Sequence, residues 1–216
     1  VRCVQNGVVK SRAVPMSDLP IALHGERISA VVVGGGSVGT RKALALVEAG
    51  ARVIVVAPVA TPDLEAAERA RELTIVRESY SAVHLGRAML VIAATDSREV
   101  NARVAVDAHS AGKFVSITDY PDEGNFHSMA LHRSGDVTIA VSSGGVPGAA
   151  ARIRDAIAER FDGRYERAVS ALRGLRSRLL ATGDEKWRDA APKLIGDDFC
   201  SSVEDGTLAD KVESWR

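Results

Sequence analysis

A glycine-rich segment at 34–39 carries the first pattern that could do chemistry. It reads Gly-Gly-Gly-Ser-Val-Gly and fits the spacing G-x-G-x-x-G. In this spacing the first glycine permits a tight turn, the second lets a pyrophosphate approach the backbone, and the third allows close packing of helix and strand. We therefore expect Gly34, Gly36 and Gly39 to cradle a dinucleotide, with free amides at the following helix start holding its negative charge.

The segments around these glycines supply the context that the motif requires. An apolar, β-branched run at 28–33 precedes them and predicts a strand buried on both faces. A helix is expected over 37–49, with Gly50 ending it in the left-handed conformation. Because strand, glycine turn and helix follow in that order, dinucleotide binding is a better interpretation than a turn that only links two elements.

A carboxylate stands after a later apolar run. Asp119 follows a predicted strand at 114–118, so it should emerge at the carboxyl edge of the sheet, where parallel sheets bind their ligands. There it could act as a general base towards a bound ring. From the residues alone, a turn cap beside Pro121 is an equally weighted interpretation.

Short β-rich runs alternate with helical patterns through the first half of the chain. Further strands are expected at 52–56, 74–77 and 89–93. A helix is expected from a Thr61-Pro62 cap to about 72, and another from a capping box at 96–99 to near Gly112. This alternation implies right-handed crossovers, so the predicted fold class is α/β with a doubly wound parallel sheet of the Rossmann type.

The pattern changes after Asp119. Residues 137–141 alternate large β-branched with smaller side chains, which predicts a strand outside the parallel repeat. The turn Ser142-Ser-Gly-Gly145 leads into a helix from Pro147 to about 161, and leucines at helical spacing follow Tyr165. The last third of the chain is therefore expected to be mainly helical.

Composition and charge narrow the classes of function. Lys plus Arg and Asp plus Glu number 28 each, so no overall field draws the protein to nucleic acid or to an anionic membrane surface. The two cysteines, Cys3 and Cys200, lie outside any paired metal-binding spacing. No apolar run approaches the roughly 20 residues that span a bilayer. We expect a cytoplasmic protein that binds neither nucleic acid nor membrane.

A set of short motifs occurs in the order seen in precorrin-2 dehydrogenases, and the chain resembles that family from residue 16 to about 180. Besides the glycine segment, the set includes Ala49-Gly-Ala-Arg-Val53, Val91-Ile-Ala-Ala-Thr-Asp96, Asn101, Asp119 and Ala140-Val-Ser-Ser-Gly-Gly145. The chain is similar to the stand-alone form of these enzymes and to the N-terminal half of bifunctional or trifunctional siroheme synthases.

The resemblance implies a reaction and an assembly. Precorrin-2 would give two hydrogens to NAD, forming sirohydrochlorin and NADH, and some members then insert ferrous iron to make siroheme. A homodimer would form through the middle segment, which agrees with the apolar strand edge that 137–141 would leave in a lone subunit. The expected parts are a non-native or disordered extension at 1–15, the Rossmann domain at 16–128, a dimerisation segment at 129–160 and a helical domain at 161–216.

Residue roles follow from the positions that match the family's motifs. For the cofactor these are Ser37 and Val38 at the phosphate turn, Pro58 and Val59 on the adenosine side, and Thr95 and Asp96 after the fourth strand. Asp119 matches the family's catalytic aspartate. The tetrapyrrole substrate would meet Asn125, His127, Ser142, Ser143 and Gly144. The two serines are explained equally well as caps of the following helix, and no metal ligand is assigned.

Several questions stay open in the sequence. Val55-Val-Ala-Pro58 occupies the place of the usual ribose-binding acid, so the residues do not decide between NAD and NADP. The alternative function is a non-catalytic nucleotide-sensing module, such as those that regulate potassium transport. A sensor needs the glycine turn but neither Asp119 nor the Ser-Ser-Gly-Gly segment, which favours the enzyme. Iron insertion and the role of the tail from Lys186 are undecided.

Overall fold

The computed structural model describes residues 18–215, except for the side chain of Asp184, and divides into two compact units. The first unit ends at His127 and the second begins at Ser128. The extension expected at 1–15, with Cys3, lies outside the described residues. Over residues 18–215, no helix combines the length and apolar character that crossing a membrane requires.

The first unit is built on a parallel sheet. Its strands are β1 (Ser29–Val33), β2 (Arg52–Val56), β3 (Leu73–Val76), β4 (Leu90–Ala93) and β5 (Phe114–Ile117). Its helices are α1 (Ser37–Glu48), α2 (Pro62–Arg69) and α3 (Arg98–Ser110), with 3₁₀ turns at Gly25–Arg27, Ala82–Leu85 and Pro121–Glu123. The strand order β3-β2-β1-β4-β5 confirms the predicted Rossmann-type sheet.

The central strands are buried on both faces, as their runs of valine and isoleucine predict. Alternate side chains of β1 point to opposite faces, so Val32 enters one apolar cluster and Val31 the other. Leu64 of α2 completes the first cluster and Val104 of α3 the second. Both are fully buried, and each such side chain contributes roughly 1.5–3 kcal/mol to folding.

Side-chain caps set the starts of two helices close to the predicted positions. The Thr61 hydroxyl accepts a hydrogen bond from the Leu64 amide at 3.4 Å, as expected for the cap of α2. For α3 the predicted capping residue is wrong by one position. Ser97 rather than Asp96 caps this helix, accepting a hydrogen bond from the Val100 amide at 3.3 Å.

The second unit joins a β-ribbon to a group of helices. β6 (Ala130–Ser134) pairs antiparallel with β7 (Val137–Val141), and β7 has the predicted bounds. The helices are α4 (Pro147–Arg160), α5 (Gly163–Thr182), α6 (Asp184–Leu194), α7 (Phe199–Asp205) and α8 (Leu208–Glu213). The sequence did not predict β6, because Ala-Leu-His-Arg-Ser lacks a clear alternation of apolar and polar residues.

The core of the second unit lies between α5 and the later helices. Leu172, Leu175 and Leu179 of α5 are at most 8% exposed and pack in one cluster with buried residues of α6, α7 and α8. The buried Tyr165 hydroxyl donates a hydrogen bond to Glu204 Oε1 at 2.8 Å. The tail beyond Lys186 is therefore helical and completes this core, which the sequence left undecided.

Candidate functional site

The loops after four parallel strands lie along the carboxyl edge of the sheet. The glycine segment 34–39 follows β1, Pro58 and Val59 follow β2, Thr95 and Asp96 follow β4, and Asp119 follows β5. β1 pairs in parallel with β2 on one side and with β4 on the other. The order in which successive strands join the sheet therefore reverses at β1. Ligands of open α/β sheets bind at this switch point. The fold thus brings the predicted cofactor residues and Asp119 to a common edge.

The glycine turn is packed against its surroundings except at Gly36. A Cβ atom on Gly34 would lie 2.2 Å from the Ala94 carbonyl oxygen, and one on Gly39 would lie 2.1 Å from the Gly34 carbonyl oxygen. A Cβ atom on Gly36 would meet nothing within 4 Å. The close packing agrees with the roles expected for Gly34 and Gly39, and the open space at Gly36 would admit a ligand to the backbone.

Gly35 is a structural part of the site that the motif missed. A Cβ atom on it would lie 2.1 Å from the Val59 carbonyl oxygen, and its own carbonyl oxygen accepts a hydrogen bond from the Thr61 amide at 3.2 Å. The loop after β2 therefore rests directly on the glycine turn. The available signal was the run of three consecutive glycines, since G-x-G-x-x-G leaves the second position free.

The start of α1 suits an anion. Gly36 is the N-cap, and the amides of residues 37–39 have no acceptor within the helix. The first turn, which the structure describes completely, holds no acidic side chain. Arg41 and Lys42 follow, and partial burial, with the charge of Arg41, lowers the pKa of the Lys42 ammonium. The helix dipole and an uncharged first turn together favour a pyrophosphate at this end.

Two threonine hydroxyls connect the starts of α1 and α2. The Thr40 hydroxyl donates a hydrogen bond to the Gly36 carbonyl oxygen at 2.9 Å and lies 2.7 Å from the Thr61 hydroxyl oxygen. Because Thr61 also caps α2, the pair fixes one helix start against the other. Sequence reasoning missed this contact, since nothing local links residues that are 21 positions apart.

A buried amide fixes the loop after β4. Asn101 is fully buried, and its Oδ1 accepts hydrogen bonds from the Thr95 amide at 3.2 Å and the Thr95 hydroxyl at 2.8 Å. Its Nδ2 donates to the Thr95 carbonyl oxygen at 3.0 Å. The polar atoms of Thr95 are thus engaged within the protein. Thr95 holds the loop in place, whereas Asp96 is exposed at the edge.

Asp119 is exposed at the same edge, and Arg98 contacts the residues that follow it. The Arg98 guanidinium lies over the Tyr120 ring, 4.7 Å from its centre, and forms an ion pair with Glu123. The hydrogen bond and charge of Glu123, with a smaller contribution from Asp119, raise the pKa of Arg98. The sequence identified Asp119 as a candidate but gave no role to Arg98.

Two residues predicted to meet the tetrapyrrole have other contacts. Asn125 lies beside the amino end of β5, where its Oδ1 accepts a hydrogen bond from the Val115 amide at 2.7 Å and its Nδ2 donates to the Lys113 carbonyl oxygen at 3.2 Å. These bonds cover the edge strand of the sheet, so Asn125 supports the fold and its predicted substrate role gains no support. His127 is half exposed, with Nε2 3.6 Å from Asp18 Oδ2.

The Ser-Ser-Gly-Gly turn lies in the second unit, between β7 and α4. The Ser143 hydroxyl donates a hydrogen bond to the Val146 carbonyl oxygen, and the Val146 amide donates to the Ser143 carbonyl oxygen at 3.3 Å. Gly144 and Gly145 are left-handed, with φ of 58° and 88°. Ser142 and Gly144 are exposed. Ser143 therefore stabilises its own turn. Its side chain does not cap α4, so the alternative prediction that the serines cap this helix is wrong for Ser143.

Comparison with known proteins identifies the family. A family model described as "Putative NAD(P)-binding" matches residues 21–130. "Siroheme synthase 1" of Aeromonas salmonicida (strain A449) is 36% identical over 167 residues, covering 77% of this chain and 36% of that protein. "Siroheme synthase" of Tolumonas auensis is 33% identical over 182 residues, covering 84% of this chain and 36% of that protein. The chain thus spans about a third of the length of these curated relatives.

A solved structure, "SirC, precorrin-2 dehydrogenase", has a TM-score of 0.75 and 22% sequence identity, and the match covers 91% of this chain and all of that one. It supports the fold of both units as each is described above. The chain belongs to the NAD(P)-binding family, and its similarity to siroheme synthases confirms the predicted resemblance. NAD(P) is the cofactor class that the family model names.

Proposed function

We propose that the chain oxidises precorrin-2 to sirohydrochlorin with NAD as the hydride acceptor, within siroheme biosynthesis. The observation that carries the proposal is the common edge of the sheet, where the open backbone at Gly36 and the carboxylate of Asp119 both lie. The similarity to siroheme synthases supports the choice of substrate. It also favours an enzyme over a nucleotide sensor.

Different residues of the carboxyl edge bind different parts of the cofactor in this proposal. The amides of the first turn of α1 hold the pyrophosphate, and Gly36 lets it approach the backbone. Pro58 and the exposed Val59 offer an apolar surface for the adenosine. Asn101 bonds Thr95 and so fixes the loop that carries Asp96. When bound, NAD supplies the acceptor for the hydride that leaves precorrin-2.

Asp119 takes the proton in this proposal. Loss of a hydride leaves the macrocycle with one positive charge more, and the ring system must release a proton to remove that charge and give sirohydrochlorin. The balance is precorrin-2 plus NAD⁺ giving sirohydrochlorin, NADH and a proton. An exposed carboxylate at the edge can accept that proton and pass it to water. His127, Ser142 and Gly144 are proposed to contact the acetate and propionate groups of the substrate.

Iron insertion is a separate step of the same proposal. Within residues 18–215 there is no group of three or more histidine, cysteine, aspartate or glutamate side chains that could hold a metal ion. In this proposal ferrous iron is a substrate of the step, and Asp119 would accept protons released from the pyrrole nitrogens. Adding ferrous iron after complete oxidation, and recording the siroheme absorption, separates this step from the first.

We also propose a cytoplasmic homodimer that forms through the second unit. The ribbon of β6 and β7 has outer edges that a second copy could extend, and Leu131 and Ile153 expose 43% and 47% of their surfaces. Sedimentation at micromolar concentration should give the mass of two chains. A single-chain mass would contradict the dimer and leave the reaction unaffected.

The proposed reaction is tested by incubating the protein with precorrin-2 and either NAD or NADP, while recording sirohydrochlorin and reduced cofactor. We expect turnover with NAD. In Asp119→Asn, turnover should fall by about 10² or more with NAD affinity within a few fold, because only the proton acceptor is lost. Asp122→Asn is the matched control, since it removes the same charge three positions away and should keep wild-type turnover. An active Asp119→Asn enzyme would rule out the assignment of the base.

A further inference from the structure

Arg98, the first residue of α3, contacts the segment that follows Asp119. Its guanidinium lies 4.7 Å from the centre of the Tyr120 ring and pairs with Glu123. The two partners stand one and four positions after Asp119 in the chain. A planar guanidinium that both stacks on a ring and bonds a carboxylate has a more restricted orientation than a lysine could have. Arg98 therefore ties this segment to a helix.

The segment has little regular structure of its own. It contains the 3₁₀ turn Pro121–Glu123, which is closed by hydrogen bonds from the Glu123 amide to the Tyr120 carbonyl oxygen at 3.1 Å and from the Gly124 amide to the Pro121 carbonyl oxygen at 2.9 Å. Asp119 is exposed. A catalytic carboxylate on such a loop needs support from a rigid neighbour to keep a productive position.

The helix that provides this support is rigid by packing. Val104 and Ala108 of α3 are fully buried against the sheet. A second contact comes from its other end, where His109 Nε2 lies 2.9 Å from the Glu123 carbonyl oxygen. Of the two contacts, that of Arg98 is the one that also reaches Tyr120, the residue next to Asp119.

We propose that Arg98 is a positioning residue for Asp119, holding the segment 119–123 through Tyr120 and Glu123 so that the carboxylate keeps its place at the carboxyl edge. The inference rests on the proposed function, in which Asp119 accepts the proton. Direct binding of a substrate carboxylate by Arg98 is the competing role. It would change KM, whereas loss of positioning lowers kcat.

The first test needs no substrate. Hydrogen exchange followed by mass spectrometry should show amide exchange in the segment 119–124 accelerated about tenfold in Arg98→Ala, because opening of the segment becomes easier. Arg103→Ala is the matched control: Arg103 lies on the same helix, 5.7 Å from the centre of the Tyr80 ring, and bonds the Tyr80 carbonyl oxygen. Its loss should leave the exchange of 119–124 unchanged. Unchanged exchange in Arg98→Ala would overturn the proposal.

The second test uses the reaction. Arg98→Ala should lower kcat about tenfold with unchanged NAD affinity, and Arg98→Lys should recover part of the loss. The melting temperature should stay close to that of the wild type, since an exposed ion pair adds little to stability. In an Asp119→Asn background the Arg98→Ala change should have no further effect on kcat. A full tenfold loss in that background, or a rise in KM with unchanged kcat, would contradict positioning.

The outcomes also separate this inference from the proposed function. A wild-type protein that does not oxidise precorrin-2 would refute the proposed function, while the exchange experiment would still decide whether Arg98 holds the segment. An active wild type, an impaired Asp119→Asn and a normal Arg98→Ala would keep the function and refute the role of Arg98.

Discussion

Each unit has a turn with consecutive glycines before a helix, and the two turns are built differently. In the first unit the turn before α1 is enclosed, and Cβ atoms on Gly34, Gly35 and Gly39 would each lie within 2.2 Å of a backbone oxygen. In the second unit, Cβ atoms on Gly144 and Gly145 would meet nothing within 4 Å. The first turn needs glycine mainly for lack of space, and at Gly34 also for a positive φ of 119°, whereas the second needs it for backbone conformation alone.

Because of this difference, the two glycine motifs do not give the same information about ligand binding. The first turn is held by packing against neighbouring strands, and Gly36, the one of its four glycines with open space at the Cβ position, is suited to a ligand. A turn that needs glycine only for left-handed φ values needs it with or without a ligand, so its glycines alone say little about binding.

The largest expected effect is at the open position of the first turn. Gly36→Val should reduce NAD affinity by about 100-fold or more, because the side chain would fill the space of the pyrophosphate. The fold should survive, since Gly36 has an extended backbone (φ −78°) that valine adopts without strain. Calorimetric titration with NAD measures this. Wild-type affinity in a folded Gly36→Val protein would exclude the assigned binding mode.

Substitution at an enclosed position of the same turn should act on stability instead. In Gly39→Ala the new methyl group would lie 2.1 Å from the Gly34 carbonyl oxygen, so the turn must shift, at a cost of about 1–3 kcal/mol in the free energy of unfolding. Urea denaturation provides the measurement. A variant as stable as the wild type would mean that the turn is not enclosed.

A smaller effect is expected in the second unit. Gly144→Ala meets no steric obstacle but must keep a left-handed φ of 58°, which should cost about 1 kcal/mol in stability. Gly144→Asn should cost less, because asparagine tolerates this conformation better. Comparing both variants by urea denaturation checks the cause. Equal losses in the two variants would argue against backbone conformation as the reason.

The two units should also respond differently to acid. In the second unit, hydrogen bonds with Arg160, Arg164 and Lys211 lower the pKa of the Glu204, Asp162 and Asp198 carboxyls respectively. In the first unit Arg77 lowers the pKa of Glu68 in the same way. A carboxyl whose folded-state pKa is lowered stabilises the protein above its unfolded pKa, near 4.5 for Glu, and this contribution is lost as the pH falls through the folded-state value.

We therefore expect the second unit to lose stability first as the pH falls below about 4.5. Both tryptophans, Trp187 and Trp215, lie in this unit, so tryptophan fluorescence reports on it alone. Glu204→Gln should flatten the acid dependence of the fluorescence transition. Glu68→Gln, its control in the first unit, should leave that transition unchanged. A dependence that Glu204→Gln does not alter would assign the acid sensitivity to other groups.

The sequence by itself determined the parts that depend on neighbours along the chain. The β-branched run before Gly34 predicted β1, Thr61 predicted the start of α2, and the alternation at 137–141 predicted β7. Strand and helix periodicity, capping and glycine turns are interactions over a few residues, so a local pattern contains them. Placing Asp119 at the carboxyl edge followed from the same patterns, because parallel strands end at one edge.

Only the tertiary structure decided which distant residues meet. The Thr40 and Thr61 hydroxyls lie 21 positions apart, and Arg98 and Glu123 lie 25 apart. No local pattern encodes such pairs, since their contact depends on the order and packing of the strands between them. The same limit explains why the sequence did not reveal that the side-chain amide of Asn125 bonds the backbone beside β5. Side-chain partners across the sheet are set by the fold as a whole.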